Sequence, residues 1–213
     1  AEGWSLSVPK EVTAVKGKPA VLPCTFTYPP SVYSGKITAI WRVHPYLGPE
    51  IFRCTMENST SADCIVDKNE KSRYRLVGDP RQNNLSLLID NVTYEDSNSY
   101  HCRVELSSKA AAMFQTQSGT RLHVTLPSTI LSLSTVIDTA GFSLLCLAEG
   151  KPLPTITWIG PGNREIPATN NTGLDSKNSS LWYQIEGKIQ NVMEGEIYTC
   201  KADNKYGTAE QNI

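Results

Sequence analysis

Three observations in the sequence predict an all-β protein made of two tandem β-sandwiches. The chain has 213 residues, a length that suits two domains of about 100 residues each. Many short segments alternate apolar and polar residues and are separated by turn residues. Both halves also contain a cysteine, then a tryptophan, then a tyrosine two positions before a second cysteine. These residues are Cys24, Trp41, Tyr100 and Cys102 in the first half, and Cys146, Trp158, Tyr198 and Cys200 in the second.

This order of residues resembles that of immunoglobulin domains. In such domains a buried tryptophan on strand C packs against a disulfide between strands B and F, and the tyrosine anchors a corner. The resemblance therefore implies the disulfide bonds Cys24–Cys102 and Cys146–Cys200. Once Cys146–Cys200 is assigned, the other four cysteines can pair in three ways, of which Cys24–Cys102 with Cys54–Cys64 satisfies the sandwich pattern.

The two halves differ in the spacing of their paired cysteines. The spacing is 78 residues in the first half and 54 in the second, so the first has room for two extra strands. We expect a V-set domain over residues 1–126, followed by a C2/I-set domain over residues 127–213. Pro127 is expected to end the last strand of the first domain, because proline cannot donate to a sheet. In the first domain, strands C, C′, D, E and G are expected at 37–43, 49–54, 73–77, 85–89 and 120–124.

The cysteines and the glycosylation sequons indicate an extracellular protein. The cysteines form no C-x-x-C pair, which favours disulfides over metal binding. No apolar run reaches the about 18 residues of a membrane span, and the first residues, AEGW, do not resemble a leader. We therefore expect the extracellular portion of a single-pass type I cell-surface protein, with its transmembrane segment outside this sequence. The candidate N-glycosylation sites are Asn58, Asn84, Asn91, Asn170 and Asn178.

Charge and motif content argue against other classes of function. The chain has 20 Lys and Arg against 21 Asp and Glu, a net charge of -1, so it offers no basic field for nucleic acid. His44, His101 and His123 have no metal-ligand spacing, and no nucleophile or phosphate-loop motif is present. We expect no enzymatic activity, no bound metal and no cofactor.

The stretch SYHCRVEL, residues 99–106, contains an arginine within a predicted strand F. Because side chains alternate along a strand, Tyr100 and Cys102 should point inward, and Arg103 should point outward with Glu105. An exposed arginine is often only solvated or ion-paired. Arg73 already has a structural partner, since it is expected to pair with Asp96. Arg103 has no such role, and its guanidinium matches a carboxylate in a bidentate fork.

The series D-x-x-x-Y-x-C-R ending at Arg103, with an early tryptophan in GWSLSVP, resembles the sialic-acid-binding immunoglobulin-type lectins, the siglecs. The resemblance covers both domains. It implies that Arg103 binds the carboxylate of sialic acid and that Trp4 is the aromatic contact from strand A. Phe114, ahead of strand G, is the candidate for a second aromatic contact. Cys102 on strand F and the Cys54/Cys64 pair are atypical of most members.

The same resemblance implies partners. These are sialylated glycans on glycoproteins or glycolipids, with a preference for O-glycans of the α2,6-sialyl-N-acetylgalactosamine type. It also implies that the full-length protein pairs with a membrane signalling adaptor. The alternative is an immunoglobulin-superfamily adhesion or immune receptor whose outer sheet face binds a protein counter-receptor.

The orientation of both aromatic residues is open at this point. Trp4 shares parity with Leu6 and Val8, so simple alternation turns it inward unless strand A changes sheets near Pro9. A hairpin centred on Ala110 would place Phe114 beside Arg103. A register slip of one residue would turn Phe114 away.

Overall fold

The computed structural model describes residues 3–29, 35–106, 112–174 and 176–213. The chain divides into two compact units, Ala1–Val124 and Thr125–Ile213, two residues from the expected boundary. The strands that begin in the first unit are β1 (Ser5–Ser7), β2 (Glu11–Val15), β3 (Ala20–Leu22), β4 (Thr25–Thr27), β5 (Lys36–Val43), β6 (Glu50–Glu57), β7 (Ile65–Asn69), β8 (Tyr74–Leu76), β9 (Leu87–Ile89), β10 (Asn98–Leu106), β11 (Ala112–Gln115) and β12 (Thr120–Asp138).

Three sheets form the two layers of the sandwich of the first unit. One has the order β12-β10-β5-β6-β7, with β2 paired to β12 and β11 paired to β10. The opposite side contains β3-β9-β8 and the pair β1-β4. β6 and β7 fill the interval between strands C and D where extra strands were expected, and strand A divides between the sheets as β1 and β2, on either side of Pro9.

The core of the first unit lies around the disulfide between Cys24 and Cys102, whose Cα atoms are 6.6 Å apart. Trp41 is fully buried, and its indole Nε1 donates to the carbonyl oxygen of Leu85 at 2.9 Å. A buried indole N–H needs such a partner. A second disulfide joins Cys54 in β6 to Cys64, just before β7.

An ion pair and a tyrosine corner hold the turn before β10. Arg73 donates to both carboxylate oxygens of Asp96, at 3.0 and 2.7 Å, and the Tyr100 hydroxyl donates to the carbonyl oxygen of Asp96 at 2.6 Å. Burial alone would raise the pKa of Asp96, but hydrogen bonds from Arg73 and from the Thr93 N–H outweigh it and hold that pKa below its usual value.

The second unit contains the rest of β12 and β13 (Gly141–Lys151), β14 (Thr155–Gly160), β15 (Arg164–Pro167), β16 (Thr169–Thr172), β17 (Gln184–Gln190), β18 (Thr199–Asn204) and β19 (Gly207–Asn212). Its sheets have the orders β16-β17-β13-β12 and β15-β14-β18-β19. The Cys146–Cys200 disulfide lies in its core beside the fully buried Trp158. The predicted all-β fold of two immunoglobulin-like sandwiches is confirmed.

The expectation that Pro127 ends a strand is wrong. β12 continues through Pro127, but the register of its pairing with β13 shifts between Leu126 and Thr129. At such an irregularity a missing N–H breaks no regular ladder hydrogen bond, which is why proline is tolerated there. Within the described residues, no helix is long and apolar enough to cross a membrane.

Candidate functional site

Arg103 lies near the middle of β10 on the outer face of its sheet. Its neighbours in the strand, Cys102 and Val104, are fully buried, so alternation directs Arg103 outward. Ile40 of β5 pairs with Arg103 on one side and with Arg53 of β6 on the other. Ile40 is fully buried although it belongs to this outer row. The stems of the two flanking arginines therefore have an apolar residue to pack against.

The guanidinium of Arg103 is held by three side chains. Its Nε donates to Glu105 at 3.0 Å, one terminal nitrogen donates to the Gln115 carbonyl oxygen at 3.4 Å, and the other contacts the sulfur of Met113. The Arg103 side chain retains 15% exposure. A guanidinium carries five N–H donors, so donors on both terminal nitrogens remain beyond these contacts with described residues.

Glu105 links Arg103 to further charges on the same face. A terminal nitrogen of Arg53 lies 3.8 Å from the second carboxylate oxygen of Glu105. Arg53 also forms a bidentate pair with Glu50, at 2.9 and 2.7 Å, and Arg42 reaches Glu50 at 3.3 Å. The hydrogen bonds from Arg53 hold the pKa of Glu50 below its usual value. We call these five residues the outer-face ion network.

Trp4 and Phe114 meet at the edge of the sandwich. Their rings stack with centroids 5.8 Å apart and an interplanar angle of 11°. Tyr28 extends this cluster, with its ring centroid 6.3 Å from that of Trp4. Trp4 and Phe114 are both partly exposed, so the structure brings the two predicted aromatic residues together.

The structure does not place Phe114 beside Arg103. Arg103 pairs with Gln115, and Phe114 pairs with the inward-facing Val104. The register is thus one residue away from the one that would align Phe114 with Arg103, and Met113 and Gln115 occupy the Arg103 face instead. Ala110, on which that alternative was centred, lies outside the described residues.

An open cavity of about 550 Å³ lies between β1 and the segment that follows β11. Phe114 is one of its walls, and most of the other lining side chains are small and polar. The lining residues are Ser5, Leu6, Ser7, Val8, Phe114, Thr116, Gln117 and Ser118.

The candidate glycosylation sites differ in exposure. Asn91, Asn170 and Asn178 are exposed, whereas Asn58 and Asn84 are partly buried. The Asn84 side-chain oxygen accepts from the Ser86 N–H at 3.0 Å, which leaves its amide nitrogen, the atom that carries a glycan, outside that contact. Asp96 and Glu149 are buried, whereas the other acidic residues that the structure describes are exposed or partly exposed. The described residues contain no cluster that could hold a metal ion.

Several residues of the site were not predicted. Glu105 was expected on the same face as Arg103, because it lies two positions along the same strand, but its contact with Arg103 was not predicted. Gln115 and Met113 could not be predicted, since their places depend on the register of β11. Arg53 and Glu50 carried no motif, and only the pairing of β6 with β5 brings them to this face.

Domain family models and relatives agree with this architecture. The immunoglobulin V-set domain matches residues 7–125 and the immunoglobulin I-set domain matches residues 128–213. Sialic acid-binding Ig-like lectin 15 from Homo sapiens is 36% identical over 215 residues, which cover 100% of this chain and 64% of that protein. The netrin receptor DCC from Homo sapiens is 26% identical over 217 residues, covering 97% of this chain and 12% of the receptor. Myelin-associated glycoprotein from Homo sapiens is 23% identical over 188 residues, covering 85% and 28%.

The fold and these matches define a protein with tandem immunoglobulin domains of the V-set and I-set types. The chain belongs to the siglec family within the immunoglobulin superfamily, and the resemblance seen in its sequence is confirmed. The chain spans about two thirds or less of the length of these relatives.

Proposed function

We propose that this chain is the extracellular, ligand-binding portion of a cell-surface lectin that binds terminal sialic acid. The observation that carries the proposal is Arg103, a partly exposed guanidinium on strand F with terminal N–H donors left beyond its contacts with described residues. A carboxylate matches such a fork in both charge and geometry. The similarity to a sialic acid-binding lectin supports this choice of ligand.

The rest of the proposed site lies toward the edge of the sandwich. Trp4 and Phe114 would offer apolar surface to the N-acetyl and glycerol groups of the sugar, beside the cavity between β1 and the segment after β11. One guanidinium fork and a few weak contacts on an open surface correspond to an affinity of about 1 mM for one site. Clustered receptors on clustered glycans would supply the remaining strength.

The finer features of the proposal follow from the family. We propose that the preferred ligands are O-glycans of the α2,6-sialyl-N-acetylgalactosamine type, on glycoproteins or glycolipids. We also propose that the full-length protein has a transmembrane segment and pairs with a membrane signalling adaptor. The role is binding rather than catalysis.

A second candidate function is recognition of a protein counter-receptor through the same face. Leu47, in the turn between β5 and β6, is 77% exposed, and its neighbour Tyr46 is 40% exposed. The Tyr46 carbonyl oxygen accepts from the Gln115 side chain, which places this apolar turn next to the Arg103 face. Protein interfaces are enriched in such residues.

The test compares binding of a multivalent form of the protein to glycan-bearing cells before and after sialidase treatment. Arg103→Ala and Arg103→Lys are measured in parallel, and Arg75→Ala serves as the control because Arg75 is an exposed cation on the opposite sheet. We expect sialidase and both Arg103 variants to abolish binding, since lysine cannot form the bidentate fork, and Arg75→Ala to bind normally. Binding that survives sialidase but falls with Leu47→Ala would support the protein-binding function instead.

A further inference from the structure

We infer that Glu105 weakens the contact of Arg103 with an external carboxylate, and that Arg53 limits this effect by drawing Glu105 away. The inference rests on the proposed function, because it concerns the strength of the same contact. The two residues thereby set the affinity of the site without belonging to the aromatic or guanidinium surfaces that touch the ligand.

The first support is the charge of the outer-face ion network. It contains three guanidinium groups and two carboxylates in alternation, from Arg42 through Glu50, Arg53 and Glu105 to Arg103. One positive charge is therefore left over among these five residues. A single external carboxylate would neutralise them, and Arg103 stands at the end of the series.

The second support is the position of Glu105 on Arg103. Glu105 occupies the Nε side of the guanidinium at 3.0 Å, so a ligand carboxylate has to use the terminal N–H groups. Two carboxylates on one guanidinium repel each other, and this repulsion is only partly screened at a site with 15% and 31% side-chain exposure. Glu105 thus orients Arg103 but reduces its attraction for a second anion.

The third support is the link from Glu105 to Arg53. The two oxygens of Glu105 face different arginines, with Nε of Arg103 at 3.0 Å and a terminal nitrogen of Arg53 at 3.8 Å. Arg53 is itself fixed by its bidentate pair with Glu50. Without Arg53, Glu105 would be free to turn both oxygens toward Arg103, in competition with the ligand.

The experiment is a double-mutant cycle. The methyl glycoside of sialic acid is titrated by NMR into the monomeric wild type, Glu105→Gln, Arg53→Gln and the double variant. Glutamine at position 105 keeps an acceptor for the Arg103 Nε but removes the charge. We expect Glu105→Gln to bind about three- to tenfold more tightly and Arg53→Gln to bind about three- to tenfold more weakly. The double variant should bind as tightly as Glu105→Gln alone.

The double variant separates the inference from a simple loss of positive charge. If Arg53 acted only through its own field, or by unmasking Glu50, its removal would weaken binding equally in the Glu105→Gln background. That outcome, or unchanged affinity in Glu105→Gln, would overturn the inference. Arg75→Gln, with the same change of net charge on the opposite sheet, is the control, and near-ultraviolet circular dichroism checks that every variant is folded.

A further arm distinguishes failure of the inference from failure of the proposed function. Arg103→Ala is titrated under the same conditions. Lost binding in Arg103→Ala with no response in the Glu105 and Arg53 variants would overturn the inference alone. Undiminished binding in Arg103→Ala would overturn both.

Discussion

Trp4 and Phe114 stack in nearly parallel planes, 11° apart, although 110 positions separate them in the chain, with a centroid distance of 5.8 Å. The contact joins Trp4, which precedes β1, to Phe114 in β11. β11 is itself paired with β10. The stack therefore attaches the N-terminal segment to β10 and β11, the strand pair that contains Arg103. Residues that we propose as binding surface can in this way also hold the edge of the sandwich in place.

We expect Phe114→Ala to lower the free energy of unfolding of the first unit by about 1 to 3 kcal/mol, since it removes a partly buried ring and an aromatic pair. Trp4→Ala should have a similar effect, and the double variant should cost less than the sum because both remove the same stack. Chemical unfolding followed by circular dichroism measures the cycle. Leu47→Ala, at a highly exposed position, should change stability little. Full additivity of the Trp4 and Phe114 variants would show that the stack contributes nothing beyond separate burial.

The disulfide between Cys54 and Cys64 closes a short loop that has a second anchor. The Arg81 guanidinium donates to the carbonyl oxygens of Thr60 and Ala62 within that loop. We expect replacement of both cysteines by serine to cost about 2 to 3 kcal/mol of stability. Arg81→Ala should cost more in that background than in the wild type, because the loop would then lose its remaining anchor. Thermal unfolding of the four proteins checks this, and equal costs in both backgrounds would contradict it.

The tyrosine corners of the two units provide a matched pair of variants. The Tyr100 hydroxyl donates to the Asp96 carbonyl oxygen at 2.6 Å, whereas the Tyr198 hydroxyl accepts from the Met193 N–H at 2.9 Å. We expect Tyr100→Phe and Tyr198→Phe each to lower the stability of their own unit by about 1 to 2 kcal/mol. Hydrogen exchange resolved by unit measures both effects. A loss of protection that appears in the other unit would contradict the assignment of each corner to its own core.

The parts of this protein that sequence reasoning predicted depend on local alternation and fixed spacing. Arg103 and Glu105 share a face because two positions of one strand always do. The position of Phe114 depends instead on the number of residues in the connection between β10 and β11. The sequence SSKAAAM contains no glycine, proline, asparagine or aspartate to fix this number. Arg53 reaches Glu105 through the pairing of β6 with β5 and of β5 with β10. Such cross-strand neighbours are non-local, and no motif marks them. The prediction that Pro127 ends a strand is wrong because the register of β12 with β13 shifts there, and such a shift tolerates proline.

The pair formed by Arg73 and Asp96 should make the stability of the first unit depend on pH. The Asp96 side chain is 1% exposed, and its pKa lies below the usual value in the folded protein. Its contribution is therefore complete above the pKa of an unfolded aspartate, about 3.9, and is lost as the pH falls through the lower folded pKa. We expect Asp96→Asn to cost about 2 to 4 kcal/mol at pH 7, because it leaves Arg73 without its carboxylate. The measurement is the free energy of unfolding of wild type and Asp96→Asn between pH 7 and pH 2, since the difference between the two should shrink only below about pH 4.

Asp138→Asn, which removes a carboxylate paired with Lys188 at the surface of the second unit, is the control and should follow the wild type closely in the unfolding of the first unit. A constant difference between wild type and Asp96→Asn over this range would mean that the carboxylate has the same pKa in the folded and unfolded states, and that the cost of the variant comes from packing alone.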